Sequence, residues 1–118
     1  PPPPVPTAGD ELASFEAFAP GRMVAPRLRN EGEIARALER FYPPLLRDAK
    51  IGGTVSVLFW IDETGKVVQY QISESSGFPA FDEAAVKVAD LMRFSPAMNR
   101  DQPIRVVVAM PITFRVAN

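Results

Sequence analysis

The run "TVSVLFWIDETGKVVQYQIS", residues 54–73, constrains the fold more than any other stretch. Val55, Val57, Phe59 and Ile61 alternate with Thr54, Ser56, Leu58 and Trp60, the period of a strand with one apolar face. "DETGK" is a turn in which Gly65 can take a positive φ. Val68, Tyr70 and Ile72 resume the alternation on the far side. The pattern is that of a β-hairpin.

Helical patterning flanks the hairpin. In "NEGEIARALERFYPP" Asn30 is a natural N-cap and Glu33 completes a capping box. Ile34, Leu38 and Phe41 then form one stripe. Tyr42 precedes Pro43, which biases it out of the helical region. Pro43 or Pro44 opens a second short helix, "PLLRDAK", that stops at Gly52–Gly53. After the hairpin, "SESSGFPAFDEAA" reads as a strand end, a turn at Gly77 and a helix start. Pro79 suits the first turn, and Asp82 and Glu83 complement the helix dipole. Phe81, Ala84, Ala85, Val88, Leu91 and Met92 form its buried stripe, and Pro96 in "FSPA" ends it.

The last segment, "PIRVVVAMPITFRV", alternates again. Ile104, Val106, Val108, Met110, Ile112 and Phe114 share one face; Arg105, Val107, Ala109, Thr113 and Arg115 share the other. Pro111 interrupts it, and proline is tolerated only where its missing N–H points out of the ladder. Alternate residues share that direction. An edge strand is therefore expected, with open backbone groups from Arg105 to Ala109. Arg105 and Pro111 blunt such an edge in part, while "VVVA" does not. An open apolar edge suits capture of a partner by strand addition; the alternative is an edge covered by the chain's own N-terminal segment.

Composition excludes several classes. Thirteen Lys and Arg against fourteen Asp and Glu leave a net charge of −1. The signs stay mixed along the chain, so no footprint for nucleic acid or an anionic membrane exists. With no cysteine and no histidine, disulfides, thiolate metal sites and the commonest general base are absent. No apolar run approaches the roughly 20 residues of a membrane span. The hydrophobic share of 47 % supports a small core of one domain.

The candidate chemistry is weak. Ser75 and Ser76 lack a histidine, a G-x-S-x-G elbow and an S-x-x-K pair; Lys66 and Lys87 stand at no recognisable spacing. Asp82, Glu83 and Asp90 fall on the solvent side of a helix, and no twelve-residue calcium loop is present. Gly52–Gly53 precedes a strand rather than following one, the wrong order for a phosphate loop. No catalytic residue, cofactor or metal is expected. Leu58 and Trp60, opposite the helix-facing side of the sheet, are either covered by residues 7–29 or left as a small partner patch.

The segments from Pro26 to Phe114 together resemble the C-terminal domain of the TonB family of periplasmic energy transducers. The resemblance rests on "YP" at Tyr42–Pro43, "GGTVSVLFWID", "TGKV", "SSG" at Ser75–Gly77, "FDEAAVKVADLMRFSPA" and the final "PITF". The six fragments stand in family order and spacing within a run that spans about three quarters of the chain. Phe81 stands where the family usually has leucine, Met92 where an aromatic is common, and Lys50 where glycine is frequent.

The resemblance implies an α+β fold, a three-stranded antiparallel sheet packed on two helices, over residues 26–118. Residues 1–25 would be a lead-in closing a proline-rich linker, since "PPPPVP" suits an extended polyproline II spacer or, less simply, a docking ligand. It further implies a non-enzymatic periplasmic module, tethered through a missing N-terminal anchor to an inner-membrane motor. Its partner would be a "TonB box" peptide of an outer-membrane receptor, laid along Arg105, Val106, Val107, Val108 and Ala109 with Tyr42 and Pro43 nearby. A second copy of the chain is a further candidate partner. The alternative function is a docking subunit of another membrane complex.

Overall fold

The computed structural model describes residues 12–116, which leaves the polyproline stretch outside the described residues. The elements in chain order are β1 (Glu16–Ala17), α1 (Glu31–Arg40), α2 (Pro44–Asp48), β2 (Gly53–Ile61), β3 (Val67–Glu74), α3 (Pro79–Ala89), β4 (Ala97–Asn99), β5 (Gln102–Ile104) and β6 (Val106–Phe114). The expected α+β arrangement is present: β6, β2 and β3 form an antiparallel sheet, and α1 and α3 supply its helical cover.

The hairpin forms as its alternation requires. Val55, Val57, Phe59 and Ile61 are all at most 1 % exposed, and each such side chain contributes about 1.5–3 kcal/mol of burial. Asp62 organises the turn, its carboxylate accepting from the backbone N–H of Thr64 (2.9 Å), the Thr64 hydroxyl (2.7 Å) and the backbone N–H of Lys66 (3.0 Å). Gly65 has φ +89°, and a Cβ there would lie 2.2 Å from the Phe94 carbonyl oxygen. One expectation needs correction. The β2–β3 register shifts between Trp60 and Ile61, so Ile61 faces Val67; Val67 packs against the core while Val68 is left exposed. A bulge of this kind moves a side chain to the other face and breaks the simple alternation.

The helices begin where the sequence places them, with one change of partner. Asn30 caps α1 by position, yet its side chain makes no helix-cap bond. Instead its amide donates to Glu33 Oε1 (2.9 Å) and to the Leu91 carbonyl (2.8 Å), and its oxygen accepts from the backbone N–H of Arg93 (3.0 Å). The expected capping residue is thus a clip between α1 and the chain leaving α3. That helix ends at Ala89, so Leu91 and Met92 lie in the turns beyond it; Met92 is nevertheless buried.

At the end of α2, Ala49 leads into Lys50 at φ +62°. The Ile51 N–H donates to the Leu46 carbonyl (2.9 Å) and the Lys50 N–H to that of Arg47 (3.0 Å). This is a Schellman ending, whose left-handed residue is usually glycine. Here a lysine holds that geometry under strain.

The last segment divides where one strand was expected. β4 and β5 form a separate hairpin whose turn residues, Arg100 and Asp101, both have positive φ (54° and 66°). β6 begins after Arg105 and pairs with β2 from Ile61–Val106 to Gly53–Phe114. Val106, Ile112 and Phe114 are buried while Ala109 and Pro111 are exposed, so the two faces are those expected.

The sheet order is β1-β6-β2-β3. β6 is therefore not fully an edge strand, which corrects the expectation of an open flank from Arg105 to Ala109. Residues 16 and 17 run parallel to it, with Glu16 facing Val106 and Ala17 facing Val107. This is the alternative of an edge covered by the chain's own N-terminal segment, realised over Arg105–Val107; which residues do so was not readable, since a two-residue strand inside an irregular lead-in carries no period.

Candidate functional site

The β2–β6 ladder fixes which backbone groups of β6 face outward. Pro111 lies opposite Ser56, and a residue without N–H can stand only at a position whose donor points away from β2. Val107, Ala109 and Thr113 share that orientation. Over Arg105–Val107 the outer flank is taken by the chain itself: Glu16 N–H donates to the Arg105 carbonyl (3.1 Å) and Phe18 N–H to the Val107 carbonyl (3.0 Å). From Ala109 to Thr113, among the described residues, no strand pairs with this flank.

Side chains along β6 divide by face. Val106 is fully buried and Val108 half-buried within the core, so neither offers its side chain freely to a partner. Val107 is half-buried and Ala109 exposed. Arg105 pairs with Glu63 (Nε to Oε1, 3.1 Å), donates from Nη1 to Ser14 Oγ (3.0 Å) and lies 5.4 Å from the Phe15 ring centroid. This ion pair is largely solvated and contributes little alone; its effect is to gather Ser14, Phe15 and Glu63 at the start of β6. Leu58 and Trp60 are half-buried, opposite Ala109 and Val107 in the ladder.

Tyr42 and Pro43 occupy a different place. Tyr42 is buried, its hydroxyl donating to the Ile51 carbonyl at 2.6 Å. Its ring meets Phe81 and Phe114 edge to face, each with centroids 5.6 Å apart. Phe114 ends β6, and Ala109 stands five residues earlier, about 17 Å along an extended strand. The structure thus does not bring Tyr42 and Pro43 against Arg105–Ala109; they border the opposite half of β6. Pro43 lines a hollow of about 340 Å³ with Phe41, Arg40 and Lys87, both cations lying over the Phe41 ring. Leu45, 84 % exposed, sits on the same short helix.

Ser75 and Ser76 bind Asp82. The Ser75 hydroxyl donates to Oδ2 (2.5 Å), and the Ser76 N–H and hydroxyl donate to Oδ1 (3.0 and 2.9 Å). The Gly77 and Phe78 N–H groups donate back to the two serine oxygens. The Ser75 hydrogen bond outweighs the opposing effect of burial and, with those from Ser76, holds Asp82 below the usual carboxylate range. A carboxylate that accepts from both serines pins a turn to the first turn of α3.

A larger hollow on the far side escaped sequence reasoning. Arg29, Lys66, Tyr70, Asp90 and Arg93 line it. The Tyr70 hydroxyl donates to Asp90 Oδ1 (3.2 Å), and burial together with that carboxylate pushes the phenol up. Residues this scattered along the chain share no spacing that would have announced them.

Residues 39–116 match the model of the family described as Gram-negative bacterial TonB protein C-terminal. A curated relative, Protein TonB of Vibrio cholerae serotype O1 (strain ATCC 39315 / El Tor Inaba N16961), is 29 % identical over 83 residues, covering 70 % of this chain and 34 % of that protein. The chain spans about a third of that relative's length. Among solved structures, "The structure of HasB CTD" is 24 % identical, covers 76 % of this chain and 72 % of that one, and has a TM-score of 0.40.

Proposed function

The chain belongs to the Gram-negative TonB protein C-terminal family, and from that premise we propose that it is the receptor-facing end of a periplasmic energy transducer. The module is non-enzymatic. It grips an extended peptide of an outer-membrane receptor along the outer flank of β6 and passes on a pull from an inner-membrane motor, to which the N-terminal chain leads. Main-chain hydrogen bonds give such a grip with little demand on peptide sequence, while alternate side chains select.

One observation carries this reading. The outer flank of β6 accepts a strand, since residues 16–18 of the chain already bond to it, and its stretch from Ala109 to Thr113 is unpaired among the described residues. Pairing with a foreign segment uses the same groups in the same way. The Tyr42–Pro43 corner, next to Phe114, would border the far end of a peptide lying along the whole strand.

A second location is favoured by the sheet order, in which β3 is the other outermost strand. A photoreactive residue placed at Ala109 in one variant and at Val68 in another separates the two. Crosslinking of a receptor-box peptide at Ala109 alone is the expected result. Crosslinking at Val68 alone moves the site to β3, and a crosslink at neither removes peptide capture from the account.

A further inference from the structure

The pairing of β1 with β6 has the form of a resident competitor. Glu16 and Phe18 bond to the carbonyls of Arg105 and Val107, within the span that a captured peptide would use. One flank of a strand accepts one neighbour, so the two pairings exclude each other. We propose that residues 14–18 are a built-in strap that holds the capture edge closed, and that a receptor peptide binds by displacing them. This rests on the reading of β6 as the capture strand.

The strap is built to release without unfolding the domain. Its own pairing is short, two residues long, and Glu16 and Ala17 are both exposed; its remaining hold is Phe18 against the core and the contacts of Ser14 and Phe15 with Arg105, which displacement must also break. Each net hydrogen bond of this kind shifts an equilibrium by roughly 2- to 10-fold, so a longer incoming strand outcompetes it. Just beyond, the chain is secured independently. The N–H groups of Arg22 and Met23 both donate to the Ala19 carbonyl, and Val24 and Met98 exchange backbone bonds of 2.8 and 3.0 Å. Met23 is buried. Release therefore stops at the Ala19–Val24 turn, where Gly21 has φ +88°.

The same geometry couples capture to tension. Among the described residues β1 is the first strand of the sheet in chain order, so a load entering from the N-terminal side reaches Glu16 before any other ladder bond described. Pulling opens the strap first, while β2, β3 and β6 stay paired. A load that arrives before capture exposes the edge instead of tearing the sheet.

Two variants of the full chain test this with two probes, a synthetic receptor-box peptide and the synthetic peptide LASFEAFA, which copies residues 12–19. Glu16→Pro deletes one strap bond, and its Kd for the receptor-box peptide should fall roughly 3- to 10-fold. Ala17→Cys combined with Val107→Cys locks the strap when oxidised; the oxidised form should bind at least about 10-fold more weakly than the same variant reduced, which removes any effect of the Val107 side chain itself from the comparison. Equal Kd values for the wild type and Glu16→Pro, and for the oxidised and reduced pair, overturn the strap while leaving capture intact. If the receptor-box peptide binds no form but LASFEAFA binds Glu16→Pro along residues 105–107, the strap stands and the receptor reading falls. If neither probe binds any form, both fall.

Discussion

Pro111 stands opposite Ser56 in the β2–β6 ladder, so alternate residues of β6 turn their N–H groups away from β2. The same substitution should therefore have opposite consequences at neighbouring positions. Ala109→Pro deletes an outward donor at an exposed site; the domain should keep its stability to within about 1 kcal/mol and lose peptide affinity roughly 3- to 10-fold. Val108→Pro deletes a donor directed at Phe59 of β2 and should destabilise by more than about 2 kcal/mol. Urea denaturation with peptide titration checks both. Equal destabilisation at the two sites would mean the ladder's orientation is misassigned.

Lys50 carries the strain of a left-handed helix ending at φ +62°. Lys50→Gly should stabilise the domain by about 0.5–1 kcal/mol, as relief of the Cβ penalty exceeds the added entropy of the unfolded chain. A shift in the denaturation midpoint with an unchanged slope is the expected signature. Loss of stability would show that the lysine side chain makes a compensating contact.

The Tyr42 hydroxyl satisfies the Ile51 carbonyl. Tyr42→Phe keeps the edge-to-face contacts with Phe81 and Phe114 but orphans that carbonyl, for a loss of about 1–2 kcal/mol. Tyr42→Ala removes those contacts as well and should lose about 3–5 kcal/mol. If Tyr42 acted chiefly on the partner, Tyr42→Phe would change peptide affinity and leave the denaturation midpoint in place.

Asp62 and Asp82 are both held below the ordinary carboxylate value. For Asp62 burial pushes the carboxyl up, but the hydrogen bonds from Thr64 and Lys66 and the charge of Arg105 outweigh it. The Ser75 bond leads at Asp82. With folded pKa values below the unfolded ones, the unfolded chain takes up protons first as pH drops. The stabilisation is present above the ordinary carboxylate value and is lost as pH falls through the lower folded values. Asp82→Asn should flatten this acid limb. Urea midpoints measured from about pH 6 to pH 2 read it; a limb of unchanged steepness would assign the acid sensitivity elsewhere.

Elements whose physics is local were legible in the sequence. Alternation over 54–61 and along 103–116 marks two strands and their buried faces, although the second is divided at Arg105, and Pro79 and Gly77 mark the start of α3. The position of Pro111 correctly gave the outward direction of its neighbours, because a missing donor constrains a ladder wherever it sits. What stayed hidden depends on distant partners. Nothing near Glu16 marks it as a strand residue, since among the described residues its ladder partner lies in β6, far along the chain. Asn30 carries a cap signature, yet its side chain is drawn to Leu91 and Arg93. The Tyr42–Pro43 pair was placed beside Arg105–Ala109 by resemblance, whereas packing on Phe114 sets it at the other end of the strand.

The most direct measurement is an amide NMR titration of the full chain with a receptor-box peptide. The account predicts that the amide of Ala109 shifts and gains exchange protection, that the amide of Val107 shifts as it changes partner, that Glu16 and Phe18 move to free-chain positions, and that the outer residues of β3 stay unchanged. Perturbation confined to Val68, Tyr70 and Ile72, or none at saturating peptide, would contradict it.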